Sequence, residues 1–323
     1  MSTAALRAAA DRAVACLAVG SGDDVLIVCN DAQRRIADAL AQSAAALARD
    51  VRTVVFPALS RHGEEPPALV GDAMAEASAI LAPTSTSLSH TRARIDATAR
   101  GARIATMPQI TEDIFVRAVP VDYAALKRDG DRLATLLTRA NVCRVTSPAG
   151  TDVVIGLDGR TGRSDDGNLD ARGAFGNLPA GEGYIAPLET FGTGTIVFDG
   201  SLATFGLLDE PFTVTLADGR ASAATGEAGA WLLRTLDEGG PTGRLVAELG
   251  IGTNPAATLT GNILEDEKVV GTVHLAFGMS ASLGGVNEAS VHIDGVMRAA
   301  TVELDGRLIM RDGVLLMPRS GPA

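Results

Sequence analysis

The chain has 323 residues, 46% apolar and 21% charged, enough at the usual size of about 150 residues per folding unit for two domains, and too apolar to remain disordered. Aromatic residues make up only 3%, so the cores must be built from Ala, Val, Leu and Ile. A net charge of -11 argues against a nucleic-acid partner, whose phosphates require clustered Lys and Arg, and leaves a small molecule or short peptide as the expected substrate. No apolar run reaches the roughly 18 residues of a membrane-spanning helix. Arg7, Asp11 and Arg12 interrupt the region where a signal peptide needs an unbroken apolar core, so the expected location is cytoplasmic and away from membranes. Cys16, Cys29 and Cys143 are odd in number and far apart, which implies reduced, buried thiols.

Along the first part of the chain, helical and strand patterns alternate. An amphipathic helix over 3 to 19 stops at Gly20, and the apolar run 24 to 29 has strand length. Helical 32 to 48, extended 51 to 56, helical 67 to 77, extended 78 to 82, helical 88 to 100 and extended 102 to 106 follow. Such repeats predict a parallel sheet covered on both faces. Gly20-Ser21-Gly22 precedes the first strand, whereas a dinucleotide-binding loop follows one, so it reads as a helix terminus. His90, Arg92 and Arg94 follow a Ser/Thr cluster; they either reach a substrate carboxylate or decorate a helix start.

A polar helix over 122 to 139 leads into a region of different character. Strand patterns at 142 to 146, 152 to 156, 212 to 216 and 301 to 304 are punctuated by Asp-Gly pairs at 158, 199, 218, 294, 305 and 312. Helical pattern returns only at 228 to 236 and 255 to 259. The fold class is therefore α/β, with an N-terminal parallel-sheet domain over 1 to 140 and a mixed, largely antiparallel α+β domain over 141 to 323.

Two of the four histidines, His274 and His292, lie 18 residues apart in strand-like runs of this second region. Residues i and i+2 of a strand share a face, so His292 and Asp294 project together, and His274 joins them if its strand pairs alongside. Two imidazoles and a carboxylate suit Zn, Mn, Co or Fe(II). Glu182 and Glu248 each stand beside small, turn-forming residues and add two carboxylates, enough for a metal pair that clamps a hydroxide and polarises a carbonyl. For each residue alone, the ordinary alternative is a hydrogen-bonded core or surface side chain.

The segments Gly176-Asn177-Leu178-Pro179-Ala180-Gly181-Glu182, Glu248-Leu249-Gly250-Ile251-Gly252-Thr253-Asn254, Glu267 through Gly278, and Val291-His292-Ile293-Asp294 resemble the signature blocks of the thermophilic leucyl aminopeptidases, the aminopeptidase T and aminopeptidase S family. Ser87-Leu88-Ser89-His90-Thr91 is similar more loosely. The resemblance implies a homodimeric metallo-aminopeptidase with a pair of divalent ions, Zn, Co or Mn, on Glu182, Glu248, His274, His292 and Asp294. Glu182 or Glu248 would then shuttle the proton of a metal-activated water attacking a short peptide. One position departs from the family pattern: seven residues after His274, where those peptidases carry a catalytic tyrosine, this chain has Ala281. Tyr184, one of two tyrosines, would share a face with Glu182 and is the candidate substitute, packing beside Pro187 being the alternative. The rival reading is a ring-cleaving Fe(II) dioxygenase of the 2,5-dihydroxypyridine type, a group that resembles the same peptidases, with His274, His292 and Asp294 as its two-His, one-carboxylate set. A third reading is a binding or scaffold protein without catalysis.

Overall fold

A computed structural model describes residues 1–316; residues 317–323 of the expected second domain lie outside the described residues. Two compact units make up the chain, one taking Met1–Ala124 and Asp165–Ala180, the other Ala125–Ser164 and the chain from Gly181 onward. Residue 140, where the sequence pattern changes, lies inside the second unit.

The first unit is the expected parallel sheet. Its strands Asp24–Cys29, Asp50–Val55, Ala79–Thr84 and Arg103–Pro108 stand in the order second, first, third, fourth, and Phe175–Asn177 adds a fifth parallel strand beside Arg103–Pro108. Every residue of Ala79–Thr84 is buried, as a strand covered on both faces requires, whereas the edge strand Asp50–Val55 exposes Asp50, Arg52 and Thr53, polar groups that discourage further pairing. Ser2 caps helix Thr3–Cys16 and Thr91 caps Arg92–Arg100, which ends at Gly101 in the left-handed region, φ 104°. Helix Arg34–Ala45 turns Ile36, Leu40 and Ala44 inward at i, i+4, i+8. Helix Glu112–Ala118 was not foreseen, being too short for periodicity to reveal. Arg92 pairs with Asp96, and Arg94 donates to the Ser89 carbonyl at 2.7 Å and lies 4.1 Å over the Phe175 ring, which fits the helix-start reading of these residues.

The second unit holds an eight-stranded and a seven-stranded sheet. Both contribute to one apolar cluster, Val145, Val153, Ile155, Ile196 and Phe198 from the first, and Leu249, Ile251, Val273, Leu275 and Ile293 from the second. Asp218-Gly219, Asp305-Gly306 and Asp312-Gly313 turn with both residues at positive φ, as tight hairpins demand. Asp294-Gly295 does not turn; it runs inside strand His292–Met297, where the missing Cβ admits the Phe198 ring. The expected helix at 255 to 259 is absent. Asn254 Oδ1 instead accepts from the amides of Ala256 and Ala257, closing a polar turn that competes with helix. Among the described residues no helix is long and apolar enough to cross a membrane.

Candidate metal centre

The site is built on one face of the seven-stranded sheet of the second unit. Strands Glu182–Ile185, Val246–Gly252, Val273–Gly278 and His292–Met297 lie side by side, each antiparallel to the next. Alternate residues Leu249, Ile251, Val273, Leu275, Phe277 and Ile293 enter the apolar cluster, so the pleat turns their neighbours to the other face. In one row across the strands stand Glu248, Ala276 and Asp294; in the next, Tyr184, Gly250, His274 and Val296. Val246 belongs to the apolar face even though it stands two residues before Glu248. The register shift between them accounts for this, because an inserted residue reverses which face the following side chains take. That bulge delivers Glu248 to the polar face.

Glycine makes the room. A Cβ on Gly250 would lie 2.1 Å from both Cε1 and Nε2 of His274, so the imidazole rests directly on the backbone of the neighbouring strand. Gly181, at φ 131°, meets the backbone of Asn254 in the same way and takes the chain into Glu182.

All five sequence-predicted ligand positions come together here. Nε2 of His274 lies 3.3 Å from Glu182 Oε2 and 3.6 Å from Glu248 Oε1; Nε2 of His292 lies 3.2 Å from Glu248 Oε2 and 3.4 Å from Asp294 Oδ1. The Glu248 carboxylate thus stands between the two imidazoles. Three overlapping groups have ligand atoms within 4.8 Å of one another: Glu182, Glu248 and His274; Glu248, His292 and Asp294; and Glu267, His274 and Asp294. Glu267 was not singled out from the sequence, nor was its neighbour Lys268. The buried Lys268 ammonium is 2.6 Å from Glu182 Oε1 and 2.8 Å from Glu267 Oε1. Tyr184 is half-buried in the same row as His274. Ala281, at the start of the short turn Ala281–Leu283, is exposed.

Burial works against charge in Glu248, Glu267, His274 and His292; it prevails at Glu267, and the neighbours prevail at the other three. Burial pushes the Glu267 carboxyl up to about 8, even though Lys268 pulls it down. In His274 burial works downward, but Glu248, Glu182 and Glu267 carry the imidazole up to about 9. Burial likewise opposes the charge on His292, and Asp294 and Glu248 raise it well above the ordinary range. The two histidines in turn hold Glu248 below the ordinary carboxylate range, against burial. Without a cation, the cluster therefore recruits protons to offset its carboxylates.

The donors fit a divalent metal. His274 Nδ1 and Nε2 and Asp294 Oδ1 are buried and make no hydrogen bond, an arrangement that is costly unless something else is bound. Imidazole nitrogens with carboxylate oxygens, and no thiolate among them, suit Fe(II), Mn, Co or Zn. His292 Nδ1 lies 2.8 Å from the Met279 carbonyl. A carbonyl only accepts, so Nδ1 carries the proton and the neutral ring presents Nε2 as a bare donor.

The fold is shared with solved enzymes. The 2,5-dihydroxypyridine dioxygenase from Pseudomonas putida KT2440 superposes with a TM-score of 0.83 at 21% identity, covering 99% of each chain. Wild-type AmpT from Thermus thermophilus gives 0.74 at 20% identity, over 97% of this chain and 99% of that one. No curated protein sequence matches. The family model described as NicX: 2,5-dihydroxypyridine 5,6-dioxygenase matches residues 5–317, and the chain therefore belongs to the NicX family.

Proposed function

We propose that this protein is a non-haem Fe(II) ring-cleaving dioxygenase acting on a dihydroxylated pyridine or a close relative of one. The family match over residues 5–317 carries the reading, and it favours this rival over the aminopeptidase that the signature segments suggest. His274, His292 and Asp294 would hold the iron, which would supply the oxygen chemistry of ring cleavage, a two-His, one-carboxylate set leaving positions open for oxygen and substrate. Glu248, between the imidazoles, orients both rings. Glu267, its carboxyl raised to about 8 by burial, holds a proton at neutral pH and can exchange it there. Lys268 ties one oxygen of Glu182 and sets a positive charge beside it. With Glu267 protonated, the other three carboxylates and this ammonium are balanced by one divalent cation, which supports a single metal. Tyr184, on the same face in the row of His274, would be the hydroxyl that meets a bound substrate.

The aminopeptidase reading is kept as the second because the AmpT fold is shared and both Glu182 and Glu248 lie in the cluster. Ala281 weighs against it. Anaerobic loading with Fe(II), followed by oxygen uptake on adding 2,5-dihydroxypyridine, tests the first reading. Release of leucine from leucyl-p-nitroanilide by Zn-, Co- or Mn-loaded protein, without oxygen uptake, would reverse the order.

A further inference from the structure

We infer that Glu189, which touches none of the candidate ligands, is a positioning residue for the metal centre, acting through the connection between strands Val273–Gly278 and His292–Met297. Its carboxylate is buried, 6% exposed, and charged: burial pushes it upward, but the Val286 amide, the Ser280 hydroxyl and the Arg160 guanidinium together hold it below the ordinary range. The contacts are directed. Ser280 Oγ and the Val286 amide both donate to Oε1 at 2.7 Å, while Arg160 pairs with Oε2 and donates to the Gly284 carbonyl at 3.1 Å. Gly285 permits the approach, since a Cβ there would lie 2.5 Å from Glu189 Oε1. Asn287, 4% exposed, continues the network: its amide donates to Ser280 Oγ at 3.1 Å, and its side chain donates to the Thr242 carbonyl at 3.0 Å and to the Gly278 carbonyl.

One carboxylate therefore fixes both sides of a loop that begins where the His274 strand ends and finishes where the His292 strand begins. Met279 lies in that loop, its amide bonded to the Val291 carbonyl at 2.8 Å and its carbonyl to His292 Nδ1 at 2.8 Å. The carbonyl is the group that selects the His292 tautomer and aims Nε2 towards Glu248 and Asp294. A buried carboxylate with three donors is a costly way to close an ordinary loop, and its expense is explained if the carbonyl of Met279 has to be held still. The inference rests on the metal reading of the cluster but not on the reaction performed there.

Co(II) serves as the probe because it reports both affinity and ligand geometry. Glu189→Gln should weaken Co(II) binding about 10-fold, the lower end for outer-shell partners of a metal ligand, and alter the visible ligand-field bands. Ser280→Ala, which removes one donor, should move both in the same direction by less. In a His292→Ala background, Glu189→Gln should cause no further loss of affinity. Unchanged affinity and bands in Glu189→Gln and Ser280→Ala, with only a lower melting temperature, would overturn the positioning role and leave a merely structural one. So would equal losses with and without His292. Absence of Co(II) binding by the unsubstituted protein would instead sink the metal reading itself.

Discussion

Replacing Gly250 by alanine isolates the packing that sets His274. Gly250 has no positive φ, so its backbone accepts alanine, and the loss of unfolded-state freedom alone would stabilise the protein by about 0.4–1 kcal/mol. The new Cβ would sit 2.1 Å from Cε1 and Nε2 of His274 and 3.0 Å from Nδ1. Ordinary carbon contacts are about 3.5–4.0 Å, so the ring must retreat by roughly 1.5 Å. His274 is fully buried, and overpacking of that kind costs about 1–3 kcal/mol, which outweighs the entropic gain. The metal-free variant should therefore lose about 1–2 kcal/mol net by denaturant unfolding. Metal binding should suffer more, because a donor displaced by about 1 Å or more costs on the order of 100-fold in a site that needs its geometry held. Co(II) titration of the two proteins is the assay. Wild-type affinity in the alanine variant would show that His274 is not held by this contact or does not bind metal.

Further outcomes follow from the same cluster. Because His274 is carried up to about 9 and His292 is raised well above its ordinary range, metal uptake at neutral pH must release protons, and apparent affinity should climb from pH 6 to 9; calorimetry in buffers of different ionisation enthalpy measures the release. For stability of the metal-free protein the signs are separable. The raised histidines contribute fully below about 6.5; His274 loses that contribution as pH rises through about 9 and His292 loses its own on the alkaline side, while Glu248, lowered, contributes above its ordinary 4.5 and loses it on acidification. Glu267, pushed up to about 8, loses its contribution as pH rises from about 4.5 through 8, and with the histidines this makes the melting temperature fall from about pH 5 to 9 or above without metal, partly offset at the acid end by Glu248; a flat profile above pH 7 would contradict these environments. Lys268→Met leaves two buried carboxylates without their ammonium and should cost about 3–5 kcal/mol, read by chemical denaturation, with little loss refuting the pairing. Tyr184→Phe should keep metal affinity and, if its hydroxyl moves a proton to or from substrate, lower turnover about 100-fold or more; unchanged turnover removes it from the reaction.

Much of this was legible in the residues. His292 and Asp294 share a face because strand side chains alternate, and that needs no tertiary knowledge. The parallel sheet was likewise visible in the alternation of helix and strand patterns, although its fifth strand, Phe175–Asn177, lies 67 residues beyond Pro108 and only pairing reveals it. Glu248 is different. Its parity along Val246–Gly252 is reset by the bulge, and nothing local distinguishes a bulged from a regular strand. Glu267 and Lys268 were hidden for another reason, since adjacent opposite charges read as a solvated pair until the Lys268 side chain is found to be buried. The 255 to 259 segment failed as a helix because the competing hydrogen bonds come from Asn254, whose side-chain choice depends on the turn being there.

The cluster has the residue types for either chemistry, so what separates an oxygenase from a hydrolase is how its charge is balanced and what covers it. Hydrolysis by a metal pair needs carboxylates free to bridge and a donor for the developing oxyanion. Here one oxygen of Glu182 is committed to Lys268, Glu267 is held towards its neutral form, and position 281, where the peptidases that the segments resemble carry a tyrosine, is an exposed alanine. Each feature reduces what a second cation would gain. One metal held by His274, His292 and Asp294, as proposed, would leave the Lys268 ammonium and the exchangeable Glu267 proton beside it, which suits a reaction whose cofactor handles oxygen while the protein governs protons. Counting metal per chain in the loaded protein tests this balance directly: one ion agrees with it, and two tightly held ions would show that Lys268 does not limit the site.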